Sequence, residues 1–132
     1  MTVLTMPQIV STKRLLKNSK KRGIHIKRIG FLLKVKDDRL DEYKEYHGAV
    51  WPDMLEALSR NGWQNYSLFM RGDGLLFGYF EAADSLEASL VGMESEDANR
   101  RWQELMAPFF EIPPGAHPDQ MLLELEEVFH LD

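Results

Sequence analysis

The sequence of 132 residues contains no cysteine. This absence excludes disulfide bonds, thiolate nucleophiles and cysteine-based zinc or iron–sulfur sites, so packing alone must stabilise the fold. Long apolar runs are also missing, because stretches such as GLLFGYF fall far short of the roughly 20 residues that span a bilayer. No signal-peptide pattern occurs. We therefore expect a cytoplasmic protein that does not engage a membrane.

The usual signatures of metal and nucleotide chemistry are absent as well. The chain has no HExxH, GxSxG, Walker loop, GxGxxG or EF-hand spacing. The RGDG segment at residues 71–74 contains an RGD tripeptide, but it lies between apolar segments and its two glycines are expected to supply positive φ, as is typical of a hairpin turn. The sequence accordingly predicts neither a metal ion nor a nucleotide cofactor.

Acidic residues are missing from the first 30 positions, which hold 8 of the 16 lysines and arginines. The rest of the chain carries 8 basic and 21 acidic residues, a balance of −13, so the folded part should not bind nucleic acid. We expect residues 1–26 to be a basic, disordered extension, with a targeting or polyanion-binding arm as the alternative. Residues 27–132 then form one domain.

Strand and helix periods alternate in the first half of this domain. Residues 29–35 alternate as a strand, and apolar positions from Leu40 to Leu58 recur at the three- and four-residue steps of an amphipathic helix. Asp37 and Asp38 are expected at its N-terminus, where the helix dipole favours acids, and Pro52 should interrupt it. WQNYSLFM and LLFGYFEA then flank the RGDG turn as a hairpin of two strands.

The second half contains a helical region, a loop and a last strand. The helical region begins at Asp84 and Ser85 and should break near Ser95. Prolines and a glycine make residues 113–118 a loop, and MLLELEEVFHL alternates as a C-terminal strand. The order of elements predicts an α+β, ferredoxin-like antiparallel sheet with helices on one face.

The hairpin has apolar side chains at both parities, for example Leu68 against Phe69 and Phe77 against Phe80. A sheet with two apolar faces and helices on only one of them needs a partner for the other face. We therefore predict a homodimer whose sheets pack face to face.

His47 is the histidine that the pattern singles out. It lies four residues after Tyr43, on the helix face directed at the sheet, where a hydrogen-bonded structural role is the ordinary alternative to catalysis. Pro52 should open the helix just beyond His47, with Trp51 at the break. An opening lined by these side chains suits a small polyol, because aromatic faces cover its C–H surface while polar groups fix its hydroxyls.

These residues resemble a known family, the L-rhamnose mutarotases. The resemblance covers about residues 27–132 and is carried by an ordered set of motifs: Glu42-Tyr43, His47, Trp51-Pro52, Asn65-Tyr66, RRWQELM with Trp102, and the C-terminal LEEVFHL. It implies a dimeric α+β barrel that has no cofactor and interconverts the α and β anomers of L-rhamnose in the cytoplasm.

The resemblance also implies roles for individual residues. His47 matches the general acid, and Tyr43 and Tyr66 match tyrosines that contact the substrate. Trp102 matches the second member of a tryptophan pair that contacts the sugar, and Arg101 stands in place of the first member. Gly48-Ala49 and His130 also differ from the common pattern. Trp51, at the helix break, is a further candidate for holding the sugar.

The chemistry that this assignment requires is modest. Opening a pyranose needs a proton for the ring oxygen and removal of one from the anomeric hydroxyl, and reclosure reverses both steps. A histidine with a pKa near 6.5 can exchange such protons at neutral pH without a metal ion.

Two other functions fit the same fold. The first is a non-catalytic domain that binds a small ligand, and the second is a haem- or quinone-handling oxygenase in which His47 would be an iron ligand or a base. Fold alone does not separate these possibilities.

Overall fold

The computed structural model describes residues 26–132, so the predicted extension at residues 1–26 lies outside the described part except for Ile26. Within this range the strands are β1 (Lys27–Lys34), β2 (Trp63–Met70), β3 (Leu75–Ala82) and β4 (Leu123–Leu125). The helices are α1 (Leu40–His47), α2 (Pro52–Arg60), α3 (Leu86–Glu94) and α4 (Asp97–Met106), with short 3₁₀ turns at Ala107–Phe109 and Pro118–Gln120.

The strands form one antiparallel sheet in the order β2-β3-β1-β4. This order confirms the predicted ferredoxin-like α+β fold. Alternate residues of the central strands, Ile29 and Phe31 on β1 and Leu76 and Phe80 on β3, are almost fully buried. These side chains form the core on the face that the helices cover.

The interrupted helix is present as predicted. Helix α1 ends at His47 and α2 begins with Pro52, whose ring suits the first helical position because the missing N–H would have no partner there. Trp51 precedes it with an extended backbone (φ −58°, ψ 137°), the conformation that a following proline favours. The start of α1 differs from the expectation. Arg39 takes the N-cap position, and Asp37 and Asp38 precede it.

The second helical region also breaks where expected, between Glu94 and Asp97. Ser85 caps α3, since its Oγ accepts a hydrogen bond from the backbone N–H of Ala88 at 3.0 Å. In residues 26–132 no helix is long and apolar enough to cross a membrane.

The two ends of the sheet contain smaller differences from the prediction. In the turn between β2 and β3 only Gly74 has a positive φ, 96°, although both glycines of RGDG were expected to supply one. Strand β4 covers only Leu123–Leu125, and the C-terminal residues 126–132 continue outside the sheet. Alternation therefore predicted a longer strand than pairing with β1 supports, because β1 pairs with β4 only over Gly30–Leu32.

The Phe31 ring requires a glycine directly across the sheet. Phe31 pairs with Gly78, and a Cβ added at Gly78 would overlap the ring. Phe31 cannot move aside cheaply, since it is 1% exposed and packs against Trp63 and Phe80. We expect Gly78→Ala to lower the free energy of unfolding by about 1–3 kcal/mol, the usual cost of overpacking a core.

Chemical denaturation of Gly78→Ala and Gly72→Ala checks this expectation. Gly72 is the matched control, because nothing lies within 4 Å of the Cβ it would gain and its φ is not positive. Equal stability of the two variants would contradict the account of Phe31.

Candidate active site

A cavity of about 330 Å³ lies between the helices and the sheet. Its wall is mostly apolar, with a small number of polar groups, as is usual for small-molecule sites. The polar and aromatic residues that line it are Phe31, Tyr43, His47, Trp63, Tyr66, Ser67, Asn99, Trp102, Gln103, Phe110 and Asp119. Four of the predicted site residues, Tyr43, His47, Tyr66 and Trp102, are thus brought together.

His47 is fixed at the end of α1 by the residue one turn before it. The two rings of His47 and Tyr43 stack with centroids 4.1 Å apart, and His47 Nδ1 lies 3.0 Å from the Tyr43 carbonyl oxygen. A carbonyl can only accept, so Nδ1 carries a hydrogen and donates it. This leaves Nε2 as the ring nitrogen that is available for proton exchange with a ligand.

Tyr66 reaches the cavity because β2 contains a bulge. Trp63 and Tyr66 are three residues apart, a spacing that puts side chains on opposite faces of a regular strand. The register of β2 shifts between Gln64 and Ser67, and Asn65 takes a left-handed backbone conformation with φ 50°. This local turn places the rings of Trp63 and Tyr66 on the same face, with centroids 5.0 Å apart.

Asn65 also anchors the bulge on the other side of the sheet. Its Nδ2 donates to Glu81 Oε2 at 3.0 Å, and the Tyr79 hydroxyl donates to the same oxygen at 2.9 Å. Asparagine is one of the few residues other than glycine that tolerate a positive φ. The sequence signal for the bulge was this asparagine directly before Tyr66, but nothing in the alternation of β2 identified it.

Trp102 forms the part of the cavity wall next to His47. It is 5% exposed, and its ring system lies nearly perpendicular to the ring of His47, at 5.4 Å between centroids, and to that of Trp51, at 5.0 Å. Trp51 itself does not line the cavity; it lies behind Trp102. Its contact holds the indole of Trp102 in place, so its position fits support of the site better than direct contact with a ligand.

Arg101 is also outside the cavity lining. Its Nη2 lies 2.7 Å from Asp53 Oδ2 and its Nε lies 3.0 Å from Asp97 Oδ2, and its guanidinium carbon is 5.3 Å from the centre of the Trp51 ring. The side chain therefore joins α4 to α2 at the surface. The expected contact between Arg101 and a sugar stays a prediction that this placement does not favour.

Sequence reasoning missed three further polar residues of the cavity lining, namely Asn99, Gln103 and Asp119. Asn99 and Gln103 lie on the same face of α4 as Trp102 and Met106, and this helical spacing was the signal that could have found them. Asp119 comes from a separate loop, so no local pattern links it to them.

Burial changes the protonation of the aromatic hydroxyls and of the imidazole. It raises the pKa of the Tyr43 hydroxyl, with the nearby Tyr66 adding to the effect, and it raises the pKa of Tyr66 as well. Both phenols therefore stay protonated at neutral pH. Burial lowers the pKa of His47 below its ordinary 6.5, although the hydrogen bond to the Tyr43 carbonyl acts in the opposite direction.

A family model described as L-rhamnose mutarotase matches residues 28–131 of the chain. The L-rhamnose mutarotases of Oceanobacillus iheyensis and Bacillus subtilis are each 35% identical to it over 108 residues, which cover 81% of this chain and 100% of each relative. The chain belongs to the L-rhamnose mutarotase family. Members of this family are isomerases that interconvert sugar anomers, and the expectation of such an enzyme is confirmed.

A solved structure agrees with this assignment. The crystal structure of L-rhamnose mutarotase FA22100 from Formosa agariphila superposes with a TM-score of 0.65 at 26% sequence identity, covering 80% of this chain and 99% of that chain. The comparisons favour neither the ligand-binding domain nor the oxygenase as an alternative.

The lowered pKa of His47 has a consequence for stability. The unfolded chain binds a proton at this histidine more readily than the folded protein does, so the unfolded state gains protons as the pH falls from 6.5 towards the lower pKa of the folded state. We expect the free energy of unfolding to decrease as the pH falls below about 7, with His47 as one source of the decrease.

Urea denaturation across this range, at constant ionic strength, measures the effect. His47→Gln should reduce the slope, because glutamine does not titrate. If His47→Gln and the wild type have the same slope, the imidazole is not destabilised by burial.

Proposed function

We propose that the protein interconverts the α and β anomers of L-rhamnose, with His47 as the residue that transfers the proton. The observation that carries this proposal is the arrangement of His47, whose Nδ1 is bound to a backbone carbonyl while its ring meets Trp102 in a largely apolar cavity. The names of the relatives supply the sugar.

Ring opening begins when protonated His47 gives its Nε2 proton to the ring oxygen of the pyranose. The bond from that oxygen to C1 breaks while the anomeric hydroxyl loses its proton to water or to another acceptor, which leaves the open-chain aldehyde. Rotation about the C1–C2 bond presents the other face of the aldehyde. In reclosure the C5 hydroxyl adds to the aldehyde carbon and gives its proton to His47, while the carbonyl oxygen takes a proton back from water or the other acceptor, which completes the conversion to the other anomer.

Burial suits His47 for this task. A pKa below 6.5 makes the imidazolium a stronger acid than an exposed histidine, and the neutral form that remains is free to take the proton back on reclosure. General acid–base catalysis of this kind contributes about 10²- to 10⁴-fold, which is useful for a reaction that proceeds slowly without help.

Tyr43, Tyr66 and Trp102 hold the sugar in this proposal. The two phenols remain protonated, so each can donate one hydrogen bond to a sugar oxygen and accept another. The Trp102 ring offers an apolar surface to the C–H face of the pyranose. Trp51 supports Trp102 from behind, and Arg101 acts through Trp51.

The variant His47→Gln tests the proton transfer. Glutamine keeps a polar side chain of similar size but cannot exchange a proton, so the rate of anomer exchange should fall by about 10²- to 10⁴-fold. Exchange NMR on equilibrated L-rhamnose measures the rate directly, and the thermal unfolding curve checks that the variant is folded.

His130→Gln serves as the control in the same assay, since His130 does not line the cavity. A wild-type protein that does not accelerate exchange would contradict the proposed function. A wild type that is active together with an equally active His47→Gln would instead show that another group transfers the proton.

We also propose that the protein acts in the cytoplasm as a homodimer of the domain at residues 27–132. The sheet face opposite the helices is apolar, with side chains from Leu32, Phe69, Phe77, Leu123 and Leu125. The C-terminal segment next to it has three almost fully exposed apolar side chains, Val128 at 84%, Phe129 at 78% and Leu131 at 79%. Contiguous apolar surface of this extent marks an interface, and a second copy of the same sheet is complementary to it.

Light scattering of two single variants tests the dimer. Phe129→Glu should shift the protein towards monomer at low micromolar concentration, because it places a charge in the interface while the side chain has almost no contacts to lose within one chain. Val91→Glu changes a similarly exposed apolar residue on helix α3 and should leave the mass unchanged. A monomeric wild type, or equal masses for the wild type and Phe129→Glu, would contradict this interface.

A further inference from the structure

We propose that Asp119 is a substrate-binding residue of this site, accepting a hydrogen bond from a sugar hydroxyl on the side of the pyranose away from the ring oxygen. This inference rests on the proposed function for the identity of the sugar, and on the geometry of residues 26–132 for the rest.

Two side chains of α4 hold Asp119 in position, one through its carboxylate and one through its backbone. Asn99 Nδ2 donates to Asp119 Oδ2 at 3.2 Å, and the backbone N–H of Asp119 donates to Gln103 Oε1 at 3.0 Å. Gln103 Nε2 in turn donates to Asn99 Oδ1 at 3.2 Å. Asn99 and Gln103 are only 4% and 9% exposed, so the loop that carries Asp119 is fixed to a buried amide pair.

The carboxylate of Asp119 keeps acceptor positions that the network does not use. Asn99 Nδ2 donates both of its hydrogen bonds within this network, one to Asp119 and one to the Met93 carbonyl oxygen, 3.2 Å away. Asp119 Oδ1 has no hydrogen-bonding partner among the described residues, while Oδ2 has one. An ionised carboxylate accepts at about four positions, so Asp119 retains most of its capacity for a ligand.

The carboxylate of Asp119 is partly buried, and buried amides orient it. The same three residues, Asn99, Gln103 and Asp119, line both the cavity and a neighbouring surface groove of about 590 Å³. They therefore lie where the cavity meets the outside. A carboxylate at this boundary can bind a hydroxyl inside the cavity without the full cost of desolvating its charge.

The position of Trp102 decides which part of the sugar Asp119 can reach. His47 contacts one side of the Trp102 ring, at 5.4 Å between centroids. Asn99 lies three residues before Trp102 on α4, hence about 5–6 Å away on the same face. Asn99 and Asp119 line the same cavity as His47 and Trp102, so a pyranose with its ring oxygen at His47 can present a hydroxyl of its C2 to C4 edge to Asp119.

The variant Asp119→Asn isolates the acceptor. Its amide oxygen can still accept from Asn99, so the loop keeps its anchor, but an N–H₂ group replaces the free carboxylate oxygen. Because hydrogen bonds to charged groups are worth more than neutral ones, we expect KM for L-rhamnose to rise about 10- to 100-fold, with a much smaller change in kcat. Asp84→Asn, a loop aspartate that lines neither opening, is the matched control.

Deoxy sugars give a second readout that a merely structural role would not change. Three analogues of L-rhamnose lack the hydroxyl at C2, at C3 or at C4. The wild type should have a lower kcat/KM for at least one of these analogues than for L-rhamnose. Asp119→Asn should lose the discrimination at that position and keep it at the others, as expected when a site loses the partner of one substrate hydroxyl. Unchanged discrimination at all three positions overturns the proposal.

Saturation-transfer NMR of L-rhamnose binding separates this inference from the proposed function. If the wild type binds the sugar but does not accelerate anomer exchange, the proposed mutarotase activity is contradicted. Weaker sugar binding by Asp119→Asn than by the wild type would still support the role of Asp119. An active wild type with equal KM in Asp119→Asn and Asp84→Asn would overturn the inference and leave the proposed function intact.

Discussion

The contacts of Trp102 with His47 and Trp51 join the parts of the protein on which the site depends. Trp102 belongs to α4, His47 is the last residue of α1, and Trp51 directly precedes α2. One buried indole therefore sets the angle at the interruption of the first helix. Aromatic pairs in edge-to-face contact contribute about 0.5–1.5 kcal/mol beyond their buried area, enough to favour one arrangement of this break.

The sequence was informative where local physics decides the structure. Pro52 predicted the helix break because proline cannot continue a helix, and the one-turn spacing of Tyr43 and His47 predicted that both would face the sheet. The RGDG segment and Ser95 located a turn and a second break in the same way. Residue types with few allowed conformations made these predictions possible.

The features of the site that the sequence did not predict depend on contacts between distant parts of the chain. Asp119 meets Asn99 across 20 residues of sequence, a pairing that follows from how the C-terminal loop packs on α4. The bulge at Asn65 escaped detection because β2 has apolar side chains at both parities, so the change of parity after Trp63 does not stand out in the hydrophobic pattern. Arg101 and Trp51 were predicted from the sequence as site residues, but periodicity alone did not show that they lie behind the cavity wall.

Arg101 shows how the site can keep its shape with a different residue in a family position. The resemblance implies a tryptophan there, next to Trp102, and the guanidinium takes over a packing role by lying over the Trp51 ring. Its ion pairs with Asp53 and Asp97 involve side chains that are about half exposed, so they contribute little to stability. Their effect is orientation: α2 supplies Asp53 and α4 supplies Asp97, and the guanidinium between them holds Trp51 against Trp102. Arg101 itself does not line the cavity, so it acts on the cavity wall through Trp51, which contacts Trp102.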